Sequence, residues 1–178
     1  FKTLHKFVGK GKIGKLNFIQ SSRLSFGKVR SQEDVLRSFA PHDISMILSL
    51  ADEEPMSVRS DSISILQKNI SDTAAIYMKF KSGLKSNISV SWLHPYKESK
   101  IMVVGSSAIM IFDDTKTWKE KLALYPFDTY SSHDIVDLQK HDLRYIDVIE
   151  EEPLKIECQH FINVVETGTA RGFSAICM

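Results

Sequence analysis

His42 is the residue whose type and setting most directly invite chemistry. It stands in "LRSFAPHDISMILSL" (36–50), between Pro41 and Asp43 and just ahead of Ile44, Ile47, Leu48 and Leu50. Those apolar residues recur at helical spacing, so the stretch reads as a helix with Pro41 in its first turn, where a missing N–H costs little. An imidazole there can cap the helix, pack in the core or accept a proton. The residues alone leave all three roles open, because a lone His carries little catalytic information.

A second set is basic. Arg23, Lys28 and Arg30 lie on the strand and loop that lead into His42. Arg forks suit diphosphate or carboxylate; a solvated basic loop is the plain alternative. Trp92, His94, Tyr96 and Lys97 form an aromatic and basic strand end, which reads as a sheet edge at a subunit contact or, less readily, as a pocket lining. "GKGKIG" (9–14) has the spacing G-x-G-x-x-G, which cradles a dinucleotide only after a strand and before a helix. Here it follows an expected helix and precedes an expected strand, so it reads as a helix end and a tight turn. Asp113 and Asp114 read as turn chemistry and His160 as structural. Cys158 and Cys177 form no CxxC pair and no zinc-ligand spacing, so no metal site is expected.

The totals narrow the class. The 178 residues suit one domain able to bury a core, and 43% hydrophobic with 25% charged residues fits a water-soluble globular protein. A net charge of +1 gives no global pull towards nucleic acid or an anionic membrane, and neither partner is expected. No apolar run reaches the ~20 residues a membrane-spanning helix needs. No secretion signal is apparent at the start, the two cysteines suit a reducing cytoplasm, and the N-x-S triplets at Asn69 and Asn87 read as chance.

These residues must be positioned by a small set of elements. A short helix over 1–8 precedes a strand over 15–26, a polar loop over 27–34 and the helix of His42, read as 36–51. Strands are expected over 57–66, 73–80, 84–93, 100–114 (a hairpin turning at 105–107) and 121–127. The third alternates cleanly, with Leu84, Ser86, Ile88, Val90 and Trp92 on one face, as a half-buried antiparallel strand should. "FKSGLKS" reads as a hairpin turn around Gly83. Residues 128–150 read as loop-rich, and 153–167 as a helix whose apolar face carries Leu154, Ile156, Phe161, Ile162 and Val165, stopped by Gly168. The expected class is α+β: one large, mostly antiparallel open β-sheet with helices packed on one face. The strands from Ser57 to Asp114 have two faces and too few helices to cover both. An exposed patch and self-association through the sheet are therefore expected.

Four ordered blocks, "GKIGKLNFIQSSRLSFGKVR", "SFAPHDISMILSL", "VSWLHPYKESKIMVVGSSAIMIFDD" and "EPLKIECQHFINVVETG", together resemble the C-terminal domain of the Gfo/Idh/MocA (glucose–fructose oxidoreductase/inositol dehydrogenase) family. Among its members the chain looks most like the sugar-nucleotide dehydrogenases of the UDP-N-acetylglucosamine 3-dehydrogenase type. The resemblance implies that 1–178 is the C-terminal substrate-binding and oligomerisation domain of a two-domain NAD(P)-dependent oxidoreductase. Its partners would be a sugar or sugar nucleotide, an N-terminal Rossmann domain, and further copies of itself as a homo-oligomer. NAD(P) would be held mainly by that Rossmann domain, with none expected on this chain alone, since no E-K-P triplet or dinucleotide fingerprint is found. The family motif D-x-G-x-H falls on Ser38, Ala40 and His42. The resemblance thus makes His42 the catalytic acid/base at the sugar hydroxyl. Its neutral form would be favoured by the positive N-terminal end of the helix. Arg23, Lys28, Arg30, Ser38 and Lys97 become candidate substrate contacts. A Ser cannot supply a carboxylate, which argues against the motif's Asp–His pairing. A non-catalytic assembly or binding module derived from the family is the alternative.

Overall fold

The computed structural model describes residues 1–27, 29–132, 135–148, 150 and 153–168. Within them the chain runs α1 (Lys2–Gly9), β1 (Leu16–Phe26), α2 (Val35–Ala51), β2 (Pro55–Ile63), β3 (Thr73–Phe80), β4 (Lys85–Ser91), β5 (Leu93–Gly105), β6 (Ala108–Asp113), β7 (Leu122–Ser132), β8 (Ile135–Lys140), β9 (Arg144–Tyr145) and α3 (Pro153–Thr167). The strands form one open sheet in the order β2-β3-β4-β1-β5-β6-β7-β8, with β9 pairing β7. Only β1 and β4 run parallel; every other pair is antiparallel. The α+β class and the open, mostly antiparallel sheet expected from the sequence are therefore the observed ones.

Period-2 patterning explains which face is dry. Ile19 of β1 pairs with Ser86 of β4 and Val103 of β5, and Val103 pairs with Met110 of β6, so these share one face. That face is sealed: Ile19, Ile88, Val90, Val103 and Met110 are inaccessible to solvent. Its cover is α2, which packs on β1, β3 and β4, with α1 against α2. The expected alternation in 84–92 holds, with Leu84, Ser86, Ile88, Val90 and Trp92 all buried. Gly83 has φ 90° and turns β3 into β4, as a hairpin needs where a Cβ would be strained.

The opposite face carries Phe18, Gln20, Ser22 and Leu24 from β1. Register places Val104 and Ile109 in line with Phe18, and Met102 and Ile111 in line with Gln20. These apolar residues are only half-buried, and no helix among the described residues covers them.

Three expectations change. The helix of His42 begins at Val35, capped by the Asp34 side chain accepting from Arg37 N at 2.9 Å, so Pro41 and His42 lie mid-helix rather than in the first turn. Pro41 is tolerated there because it faces solvent, where water can serve the Arg37 carbonyl that its ring leaves unbonded. Residues 128–150 are not mainly loop: β7 runs on to Ser132, and β8 and β9 follow. The described side chains of 128–130 and 137–145 are exposed, so these stretches show no buried alternation. Finally, α3 has the expected bounds, but Phe161, Ile162 and Val165 are exposed.

Candidate functional site

Asp43 is the centre of a tightly built polar cluster between α2 and β1. It faces the sheet on the same stripe as Met46, Ile47 and Leu50 and is 1% exposed. A carboxylate sealed this way needs its oxygens satisfied. One accepts from the Ser21 hydroxyl. The other accepts from Arg23 Nε at 2.7 Å. Ser21 and Arg23 are alternate residues of β1, so they point to the same side and grip one helix residue between them. Ser21 Oγ also lies 3.2 Å from the Lys100 carbonyl of β5, so three elements meet here.

His42 is the neighbour of Asp43, rotated about 100° around the helix. It is half-buried, and among the described residues its ring makes no hydrogen bond; its carbonyl accepts from Ser45 Oγ at 2.8 Å. Being mid-helix, the ring lies beyond the reach of the N-terminal dipole, which fades within the first turn. The expected dipole effect on His42 is therefore withdrawn. Ser38 sits one turn earlier on the same side, and its Oγ is buried with no hydrogen-bond partner among the described residues, so no Ser38–His42 bond forms.

Of the other candidate contacts, Arg30 pairs with Glu33 at the surface, and its carbonyl accepts from Gln67 Nε2 at 3.2 Å. Lys97 is exposed on an outward bulge of β5: Leu24 faces Glu98 and Phe26 faces Leu93, which leaves residues 94–97 unmatched. Lys28, Glu151, Glu152 and Cys177, together with the side chain of His160, lie outside the described residues. Arg23 thus stands beside His42 through Asp43, while Arg30 and Lys97 follow the same strand end without touching that cluster.

A second buried carboxylate organises that end. Asp72 accepts from Ile65 N at 2.6 Å, Leu66 N at 2.8 Å and Trp92 Nε1 at 2.6 Å. Burial pushes its carboxyl up, but the N–H groups of Leu66 and Ile65 and the Trp92 indole outweigh this and hold it below the usual carboxylate value. Trp92 is thereby a core residue, in edge contact with Phe39 of α2, and not part of a sheet edge. Val35 N donates to Ser71 O at 2.9 Å, which fixes the start of α2 to the same loop.

Residues 9–14 do not fit a dinucleotide. They follow α1 and precede β1. A Cβ on Gly14 would lie 2.1 Å from Ser106 Oγ, and one on Gly105 2.0 Å from the Ile13 carbonyl, so these glycines serve close packing of two turns. Asp113 and Asp114 act as turn residues: Asp113 Oδ1 accepts from Thr115 N at 3.0 Å, and Asp114 pairs with Lys121 at 2.6 Å. Among the described residues no group of three or more His, Cys, Asp or Glu could hold a metal, and no helix is long and apolar enough to cross a membrane.

The site is thus a His-bearing helix locked to the central strand of an open, mostly antiparallel sheet. The family model of the GFO/IDH/MocA C-terminal domain matches residues 1–111, and the chain belongs to that family. Among solved structures it is similar to UDP-N-acetylglucosamine 3-dehydrogenase GnnA from Acidithiobacillus ferrooxidans (TM-score 0.70, 19% identity, covering 97% of this chain and 53% of that one). It is also similar to the WlbA dehydrogenase from Bordetella pertussis in complex with NADH and UDP-GlcNAcA (TM-score 0.66, 11% identity, 99% and 53%). A third likeness is to an inositol dehydrogenase homolog complexed with NADH and myo-inositol from Azotobacter vinelandii (TM-score 0.61, 15% identity, 78% and 38%). The chain spans about half the length of the first two. No curated protein sequence matches it.

Proposed function

We propose that this chain is the substrate-side domain of a cytoplasmic NAD(P)-dependent dehydrogenase of sugars or sugar nucleotides. An N-terminal Rossmann domain would be the main holder of the cofactor. What this chain contributes is substrate contact, one proton-transfer group and an assembly surface. His42 accepts the proton of the hydroxyl undergoing oxidation; Arg23, Lys28, Arg30, Ser38 and Lys97 contact the substrate. The observation that carries the reading is the placement of His42. A half-buried imidazole with no hydrogen-bond partner among the described residues, in a chain of this family, stands next to a helix residue that is itself immobilised on β1.

The open sheet face is the homo-oligomer interface in this reading. Phe18, Met102, Val104, Ile109 and Ile111 lie together on it, and an apolar patch of that kind is commonly covered by a partner. Sedimentation should show self-association at tens of micromolar, roughly the range for a modest interface; only monomer there would count against it.

The test of the catalytic role is His42→Asn in the chain joined to its Rossmann partner. kcat should fall by roughly 10²–10⁴, the share of a general base, with cofactor affinity little changed. A near-normal kcat would favour the second reading, a non-catalytic assembly module. One observation supports that reading: Ser38, in place of the motif Asp, makes no bond to His42.

A further inference from the structure

The grip on Arg23 is made through Nε alone. Asp43 Oδ2 takes that single N–H, and no protein group among the described residues takes either terminal amino group. The side chain is 29% exposed, so the far end of the guanidinium reaches solvent from under α2 while its near end is fixed. A guanidinium held by Nε cannot swing freely about its last torsions. Its two outer nitrogens therefore stay in one plane, pre-organised for a pair of anionic oxygens.

We propose that Asp43 is a positioning residue. By holding Arg23 through Nε, it presents the two terminal amino groups of Arg23 as a bidentate fork for an anionic group of the substrate, one helix residue from His42. This inference rests on the proposed substrate site and adds how that site recognises charge. The shared ligand chemistry is a planar or paired set of anionic oxygens. A diphosphate and a sugar carboxylate both supply it, whereas a neutral polyol does not. Ser21 supports the device by fixing the other oxygen of Asp43, so that the carboxylate cannot turn away from Arg23.

The test is a titration of the full chain, followed through its backbone and Arg side-chain NMR resonances. The probes are UDP, glucuronate and myo-inositol, each taken into the millimolar range. UDP or glucuronate should shift the Arg23 Nε–H resonance, and which of them does so identifies the oxygen source; myo-inositol should not. Arg23→Gln should weaken the active probe roughly 10- to 100-fold, the scale of a charge-assisted bidentate contact. Arg23→Lys should restore only part of it, because an ammonium keeps the charge and loses the fork. Asp43→Asn should also weaken binding, and the double variant should bind no worse than Arg23→Gln alone, since Asp43 acts through Arg23. A merely structural Asp43 would lower the melting temperature and leave affinity additive. If Asp43→Asn does not fold, Ser21→Ala makes the same comparison with a smaller loss. Binding that persists within about twofold in Arg23→Gln, with shifts still around His42, overturns the fork and leaves the proposed site standing. No shift near His42 with any of the three probes overturns the proposed site and the fork with it.

Discussion

Asp72 and Asp43 are both sealed from solvent, at 0% and 1% exposure, yet their partners differ in kind. Among the described residues no cation pairs with Asp72: two backbone amides and an indole N–H take up its charge. Each of those donors is itself consumed, so the group is closed and holds the 65–72 loop to the end of β4. Asp43 pairs with a hydroxyl and a guanidinium, and the guanidinium keeps donors to spare. A closed cluster can only stabilise. An open one stabilises and leaves a directed polar group facing solvent. That difference, more than burial, separates a structural carboxylate from one that serves a site.

Breaking the closed cluster should have the larger effect. Asp72→Ala strands three donors at once. It should cost about 3 kcal/mol, since each unsatisfied buried donor costs about 1–3 and the loop can open to water. Urea denaturation reads this as a lower midpoint with little change in slope. A loss under about 1 kcal/mol would mean the loop does not need its carboxylate.

The same group sets an acid limit. The Asp72 carboxyl is held below its usual value in the fold. Its contribution is therefore fully present above the unfolded Asp value, about 3.9, and is lost as pH falls through the lower folded value. Melting temperatures followed from about pH 6 to 3 should drop in the wild type. Asp72→Asn, which has no proton to bind, should start lower and fall less steeply over that window. Parallel curves would remove Asp72 from the acid response.

The open cluster should matter less to stability and more to binding. Asp43→Asn keeps the shape and loses the charge-assisted grip on Arg23, for about 1–3 kcal/mol. Partial exposure of Arg23 keeps the cost towards the lower half of that range. Thermal unfolding of the variant measures it; a cost equal to that of Asp72→Ala would erase the contrast.

Most of the sheet was legible in the sequence, because one sealed face enforces alternation in residues 84–92 and Gly83 marks its turn. The bounds of α3 were legible from Pro153 and Gly168. The expected bounds of α2, 36–51, fall within one residue of Val35–Ala51, but reading Pro41 as a first-turn residue conflicts with them, and Asp34 before the helical run is the N-cap signal that places Pro41 mid-helix. Residues 128–130 and 137–145 carry no buried periodicity because their side chains are exposed. The site was legible only in part. His42 and Arg23 stood out by type, but the bonds that organise them join β1 to α2 across twenty or more residues, which no local pattern encodes. One signal was available: Asp43 interrupts an otherwise apolar helix stripe, and a carboxylate there must find a partner.

The smallest expected effect calibrates the others. Arg30 and Glu33 also form an Arg–carboxylate pair, but their side chains are 56% and 34% exposed. Water already solvates both charges, so their attraction is screened, and holding two long side chains in one geometry costs rotamer entropy. Glu33→Gln should therefore change stability by less than about 1 kcal/mol, and 1 M salt should erase most of the difference. The same salt should leave the Asp43→Asn deficit largely in place, because that carboxylate is sealed under α2. Thermal unfolding of both variants at low and high salt makes the comparison directly. If Glu33→Gln costs as much as Asp43→Asn, or if salt removes both deficits alike, then burial does not distinguish the two pairs. The rigid hold on Arg23 would then have no physical basis.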